Sequence, residues 1–547
     1  MKPATPEAEA PLRHPAEPPG SAVVRVYDTT LRDGTQGEGV SLSCTDKLRI
    51  ARRLDALGVA FVEGGWPGSN PKDAEFFRRA RELPWEHSLL TAFGATRRAG
   101  VAPGEDPSLR ALLEAGAAVC TIFGKSHTLH VTEVLRTTHD ENLRMIEESV
   151  AWLRAAGVRL VYDAEHFFDG WRADPGYAVE TLRAAVRGGA EVLTLCDTNG
   201  GSLPWQIEEA IGAVRAALPT PLGIHTHDDA GCAVANAIAA VRAGARHVQG
   251  TINGYGERCG NASLSALIPT LELKLGLRCL PEGALRHLTA LSTFVAEVAN
   301  VSPDDQHPYV GRSAFAHKGG VHVAAMRRNK ASYQHIDPAL VGNESRVVLS
   351  ELSGRGNLLS KAEELGLDVH DDVHREVLAR IKEDEFRGAS FEAAEASVAL
   401  MLRRSAPGYE APFRLLDYKV MVGQRADDDT FAEATIKIAI GAQVLHTAAE
   451  GSGPVHALDA ALRKALVPVY PAVARIQLVD YKVRILDGKE GTRATTRVLL
   501  DSRDGERSWS TVGASTNIIE ASWRALADSI EYGLWAAADE PGTPEAA

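Results

Sequence analysis

His225-Thr226-His227 is the sharpest chemical signal in the chain. Residues two apart on a strand point to one face, so both imidazoles project together. Such a pair makes half of a Zn, Mn or Fe site, or a pair of hydrogen-bonded histidines. Asp228 and Asp229 follow directly and read as caps of the next helix. Asp28-Thr29-Thr30-Leu31-Arg32-Asp33-Gly34 sets a guanidinium beside a carboxylate. Asp33 can be a third, anionic ligand and Arg32 can face developing negative charge, although a local salt bridge gives the same pair. In Asn253-Gly254-Tyr255-Gly256-Glu257-Arg258-Cys259-Gly260-Asn261 the glycines let backbone approach a ligand closely, as a phosphate-type nest also would.

These residues need a scaffold, and the hydropathy pattern supplies one. From residue 22 a strand-like run and a helix-like run alternate about every 30 residues. The strand candidates are 23–27, 59–63, 88–93, 118–123, 158–162, 191–195, 222–226 and 247–252, short and nearly continuously apolar. Strands buried on both faces read this way. Helical periodicity falls at 45–57, 140–155, 204–217 and 229–243, among others. The alternation predicts a closed (β/α)8 TIM barrel over 22–276 rather than an open doubly wound sheet. Asp28, Glu63, Glu165, Asp197-Thr198-Asn199, the two histidines and Asn253 all stand at strand ends, which in a barrel converge on one face.

Beyond 277 the pattern predicts helices without intervening strands (283–301, 372–385, 391–404), a helical subdomain over 277–404. A Pro/Gly linker at 405–412 leads to an internal repeat, Leu416-Asp417-Tyr418-Lys419-Val420 against Val479-Asp480-Tyr481-Lys482-Val483. Each copy continues as strands, a glycine turn (451–453; Gly513) and a helix (454–466; 517–532), predicting an α+β domain of two βββα units over 413–535. The ends, 1–21 with six prolines and 536–547, read as disordered tails, and the first is no secretory signal.

Composition narrows the function classes. The 547 residues are 45% hydrophobic and 24% charged, with a net charge of −13 and no long single-sign block. That balance makes the chain a poor candidate for a phosphate-tracking nucleic-acid binder, and no apolar run approaches the roughly 20 residues of a membrane span. Cys44, Cys120, Cys196, Cys232, Cys259 and Cys279 form no CxxC pair, as expected of a reducing cytoplasm.

Taken together, the three barrel motifs make the chain resemble the acetyl-CoA-dependent 2-oxoacid condensing enzymes: the 2-isopropylmalate, homocitrate and citramalate synthases. The resemblance runs from 22 to about 535 and includes Ala316-His317-Lys318-Gly319-Gly320-Val321-His322, Glu351-Leu352-Ser353-Gly354-Arg355-Gly356-Asn357 and the C-terminal repeat. The segments around Trp66 and His166 look most like the citramalate synthase branch, where isopropylmalate synthases show a Gly-Phe-Pro-type turn and an acid-rich motif.

The resemblance implies roles. Asp33, His225 and His227, with Asn261 as a fourth, match ligands of a divalent cation (Zn, Mn, Mg or Co), which a 2-oxoacid can chelate. Arg32 matches the residue that stabilises the alkoxide. Thr198 matches the hydroxyl that holds the substrate carboxylate, with helix capping as its alternative. Glu165, His322 and Tyr333 match the groups that remove the acetyl proton and orient the enolate. Asn329 and His130 are further substrate contacts, while His14, His87 and His317 read as surface or supporting residues. The resemblance further implies a homodimer in which the subdomain of one protomer completes the barrel of another.

The expected reaction is condensation of acetyl-CoA with pyruvate and water to (R)-citramalate and CoA, the start of a pyruvate route to isoleucine. Its alternatives are the same chemistry on a larger 2-oxoacid, a metal-dependent lyase or aldolase, and a non-catalytic amino-acid sensor. No Ala-Met-Lys-Met motif supports a biotin carboxyltransferase. In the resembling family the C-terminal domain binds the end-product amino acid, here isoleucine. The junctions at Gly453, Val455, Ala514, Asn517 and Ile518 present helix N-terminal N–H groups to its carboxylate and apolar groups to its side chain, although core packing explains the latter equally.

Overall fold

The computed structural model describes residues 22–318, 320–348, 358, 361–362, 371–424, 430–486, 488–505 and 507–538. The motif at 351–357, Gly319 and His14 lie outside the described residues. Two compact units are described separately. One runs to Phe315 and includes Ile336–Glu344; the other comprises Ala316–His335 and the residues from Ser345 on.

In the first unit β1 (Arg25–Asp28), β2 (Phe61–Gly65), β3 (Leu89–Ala95), β4 (Val119–Lys125), β5 (Arg159–Glu165), β6 (Val192–Asp197), β7 (Leu222–Thr226) and β8 (His247–Gly250) close a parallel barrel. Closure is made by β1 against β8, with Val26 opposite Val248. Every residue of β2, β6, β7 and β8 is buried, which is why these strands read as apolar runs without alternation. One set of side chains packs toward the surrounding helices in the large core, including Val26, Val62, Leu193 and Ile224. The alternate set, including Tyr27, Phe61, Val119 and Val161, forms a smaller cluster, with His247 against the Tyr27 and Phe61 rings.

The helix Cys44–Leu57 starts on a capping box in which the Ser43 hydroxyl accepts from the Asp46 N–H at 3.2 Å. Helices Pro71–Ala80, Pro107–Glu114, Pro175–Gly188 and Pro204–Ala217 each open on proline, whose missing N–H costs nothing there. Two boundaries differ from the sequence reading. β8 stops at Gly250 because Thr251 and the left-handed Asn253 (φ 62°) turn the chain across the barrel mouth. The helix expected from 229 begins at Ala233, since Asp228 first folds back to accept from the Ala233 N–H at 2.7 Å. Residues 277–315 pack with the barrel rather than with the following subdomain, because the helix Leu288–Ala299 buries Leu288, Leu291 and Val295 in the barrel's own core.

The second unit corrects the expectation of helices alone after 277: β9 (Ala316–His317) and β10 (Arg346–Val347) form a short parallel pair. Helices Gly320–Arg328, Asp371–Phe386 and Glu395–Arg404 follow. The internal repeat is real in three dimensions. Antiparallel sheets β11 (Arg414–Gln424), β12 (Thr430–Ile440), β13 (Gln443–Gly451) and β14 (Gln477–Ile485), β15 (Thr496–Asp504), β16 (Arg507–Ser515) precede helices Pro454–Leu466 and Ile518–Ala538 respectively. Even the irregularity repeats: the register slips between Leu415 and Asp417 in one copy and between Leu478 and Asp480 in the other. Gly451 and Gly513 are strand residues rather than turns. A Cβ at either would meet the backbone of the following helix, at 2.4 Å from Ala457 N and 2.0 Å from Ala521 O. The last helix runs to Ala538, past its expected end at 532 and past the expected domain end at 535.

Candidate active site

The strand ends build one site. Asp33 follows β1, His225 is in β7 and His227 just beyond it, all three buried. Their ligating atoms lie within 4.8 Å of one another. His225 Nε2 stands 3.4 Å from Asp33 Oδ2 and 3.3 Å from His227 Nε2. Burial holds both imidazoles below their ordinary range, His225 at about 4, so at neutral pH they are uncharged and carry lone pairs. Burial works against the Asp33 charge, but Arg32 and the two histidines outweigh it and lower its pKa.

Asn261 reaches the same cluster through a backbone bridge to His227. Its Nδ2 donates to Tyr255 O at 3.1 Å, while its Oδ1 is buried without a hydrogen-bond partner among the described residues. Gly260 makes that loop possible: it is left-handed (φ +92°), and a Cβ there would lie 2.0 Å from Gly254 O. Two imidazoles, a carboxylate and an orphaned amide oxygen are a donor set that fits a divalent cation, more naturally Zn, Mn or Co than Mg.

Arg32 is fixed on three sides. Its Nε donates to Glu63 Oε1 at 2.6 Å, its Nη1 lies 3.4 Å from Asp33 Oδ2, and its guanidinium sits 3.7 Å over the Phe93 ring. Burial opposes its charge, but Glu63 and Asp33 outweigh that and raise its pKa. Glu63 itself accepts from the Tyr27 hydroxyl and, at 2.5 Å, from Thr29 Oγ1.

Thr198, after β6, does not cap the next helix, whose N-cap is Leu203. Its Oγ1 accepts from the His166 N–H at 2.8 Å, which leaves its own proton to donate. Glu165 ends β5 and is ion-paired with Lys125. With Trp66, Phe93, Phe123, Asp163, Cys196 and others, these residues line a cavity of about 190 Å³. Trp66 meets Phe93 and Phe123 edge-on at 5.9 and 5.6 Å, and the two phenyl rings stack at 5.5 Å.

Other candidates fall elsewhere. His130 lies in the short helix His130–Val134 and stacks on His166 at 3.8 Å, outside the cavity lining. His87 is exposed and His317 half-buried. Asp229 is bound by Arg258 at 2.7 Å rather than capping a helix. His322 and Tyr333 stack at 4.1 Å in the second unit, where Asn329 caps the turn Lys330–Ser332.

At the repeat-domain junctions the donors expected to be free are partly taken: Asn517 Oδ1 accepts from the Ile519 and Glu520 N–H groups, and the Ser452 N–H goes to His456 Nδ1. Gly453 caps the helix beginning at Pro454 without a side-chain bond; Val455 and Ala514 are half-buried and Ile518 is exposed.

Sequence reasoning placed Glu63 at the barrel mouth without a task and gave no role to Asp163, Gln249 or the aromatic wall. A glutamate and a glutamine interrupting otherwise apolar strands were the available signal.

Three family descriptions match in order: HMGL-like over 23–295, homocitrate synthase post-HMGL domain-like over 309–387, and LeuA allosteric (dimerisation) domain over 392–534. Among similar proteins, an (R)-citramalate synthase of Synechocystis is 53% identical over 93% of this chain and 96% of its own length. Those of Streptomyces coelicolor and Geobacter sulfurreducens are 51% and 50% identical, each over 94% of this chain and over 97% and 98% of their own. With that identity over nearly the full length and the cation-ready barrel mouth in place, the chain belongs to the (R)-citramalate synthase family of acetyl-CoA-dependent 2-oxoacid condensing enzymes.

Proposed function

We propose that this chain condenses acetyl-CoA with pyruvate and water to (R)-citramalate and CoA, in the cytoplasm and as a homodimer. The observation that carries the reading is the convergence of Asp33, His225, His227 and Arg32 on one small aromatic-walled cavity, in a chain about half identical to several citramalate synthases. A divalent cation held by Asp33, His225, His227 and Asn261 supplies Lewis-acid polarisation of the 2-oxoacid carbonyl when bound. Arg32, anchored through Nε, offers its remaining N–H groups to the oxygen on which negative charge develops. Thr198 donates its hydroxyl proton to the substrate carboxylate, and the Trp66–Phe93–Phe123 wall admits a methyl group and crowds a branched side chain. Comparing thiol release with pyruvate, 2-oxobutyrate and 2-oxoisovalerate tests the assignment; preference for either larger acid would move the chain to the alternative branch.

Removal of the acetyl methyl proton falls to Glu165 in the barrel or to the stacked His322–Tyr333 pair of the second unit. Glu165→Gln and His322→Ala separate them, because only loss of the base stops solvent deuterium exchange into acetyl-CoA.

The LeuA-type domain supports end-product control. Isoleucine is assigned as the inhibitor, with Gly453, Val455, Ala514, Asn517 and Ile518 near its site and a coupling of roughly 1–3 kcal/mol. Unchanged turnover across an isoleucine titration of the full chain, with no binding heat, would leave the domain a dimerisation module only.

A further inference from the structure

Gln249 is a polar side chain with no exposure, set in β8 between Val248 and Gly250. Its amide has two ends with different tasks. Nε2 donates to Asp163 Oδ1 at 2.9 Å and to Thr194 Oγ1 at 3.2 Å, while Oε1 faces His225 Nδ1 at 3.0 Å. An amide oxygen only accepts. The ring proton of His225 therefore sits on Nδ1, and Nε2 turns a bare lone pair toward Asp33 and His227. The other tautomer would aim an N–H into the cluster and hold no cation. Among the described residues His227 has no comparable partner, for its Nδ1 is buried without a hydrogen bond to any of them. The orientation of Gln249 is in turn set by Asp163 of β5, on the far side of the amide from the histidine.

We propose that Gln249, oriented by Asp163, is a positioning residue that selects the one His225 tautomer able to ligate a divalent cation. The inference rests on the cation-site reading above and extends it to Gln249, outside the cavity lining, and to Asp163, which lines the cavity but is not one of the clustered ligands. Its sharpest consequence concerns Asp163→Asn. An asparagine there can accept from the amide or donate to it, so Gln249 is free to flip. Flipped, it presents N–H to His225 Nδ1 and drives the ring proton onto Nε2.

The test uses the full-length protein stripped of metal and titrated with Co2+, read by visible absorption and calorimetry. Nitrogen-15 NMR of labelled histidine reports the tautomer before metal is added. Asp163→Asn and Gln249→Met are expected to weaken Co2+ binding by about 10–100-fold. Asp163→Asn should also populate the Nε2-protonated form, which a merely structural role would not produce. Being isosteric, it decides the question even where Gln249→Met fails to fold. A Co2+ affinity within twofold of the parent and an unchanged tautomer in Asp163→Asn would overturn the proposal. His225→Ala is the separate control: it should abolish Co2+ binding, and undiminished binding there would instead overturn the cation site itself.

Discussion

Phe123→Ala should convert a selective pocket into a permissive one. Phe123 stacks on Phe93 at 5.5 Å and meets Trp66 edge-on at 5.6 Å, closing one side of a cavity of only about 190 Å³. The ring is half-buried, so its removal should cost roughly 2–3 kcal/mol of stability, below the about 3–5 of a fully buried Phe→Ala change. Arg32 keeps its seat over Phe93 and its bond to Glu63, so the guanidinium stays in place. Each methylene in an apolar pocket discriminates by about 10–200-fold. 2-Oxoisovalerate carries two carbons more than pyruvate, so the parent should disfavour it by an order of 10²–10⁴ in kcat/KM. The variant should lose at least about tenfold of that ratio, mainly by gaining activity on the larger acid. The assay is thiol release with both acids, alongside thermal unfolding to establish that the variant is folded. A folded variant with the parent's ratio would show that the wall does not set the substrate, and the reasoning from cavity shape would fail.

Arg32→Ala should lower kcat by about 10²–10³ with the fold intact. Arg32→Lys should recover little of it, because an ammonium cannot make the Nε bond to Glu63 and stack on Phe93 together; a kcat within a few-fold of the parent in either variant would make Arg32 structural. Lys47→Met should destabilise the barrel by about 3–5 kcal/mol, since it strands the buried Asp73 carboxylate that also holds the Trp66 N–H at 2.9 Å; denaturant unfolding with an unchanged midpoint would contradict it. Burial lowers the His247 pKa from its ordinary value of 6.5 to about 3. As pH falls below 6.5 the unfolded chain takes up this proton first, so stability drops, by roughly 2 kcal/mol between pH 7 and 5. His247→Leu should show a correspondingly smaller drop in urea titrations at the two pH values, and equal drops would exclude His247 as the source.

Most of the barrel was legible because its strands are buried on both faces and its helices are not. Eight short apolar runs at a steady spacing leave few other folds, and the polar residues that end them mark the mouth. His225 and His227 were legible for a local reason, the two-residue period of a strand. Their supporting residues were not, because support is nonlocal. Glu63 serves Arg32 from 31 positions away and Gln249 serves His225 from 24, and neither spacing carries a pattern. The aromatic wall comes from β3, β4 and the turn after β2, so no single stretch of sequence displays it. The place of residues 277–315 in the barrel unit was not legible for a related reason. Helical periodicity shows that the helix Leu288–Ala299 buries a face, but not that the barrel receives it. The two-residue strands β9 and β10 are too short to register as a period at all.

The central claim is tested most directly by identifying the product. The purified full-length protein, supplied with a divalent cation, carbon-13-labelled acetyl-CoA and pyruvate, is followed by NMR and chiral chromatography while free CoA is titrated. The likeness to (R)-citramalate synthases and the site proposed here predict (R)-citramalate carrying the label in its new methylene and carboxylate carbons, one CoA released per molecule formed, and none of either from His225→Ala. Failure of the full-length protein to form citramalate from pyruvate, with a larger 2-oxoacid condensed efficiently in its place, would contradict the account.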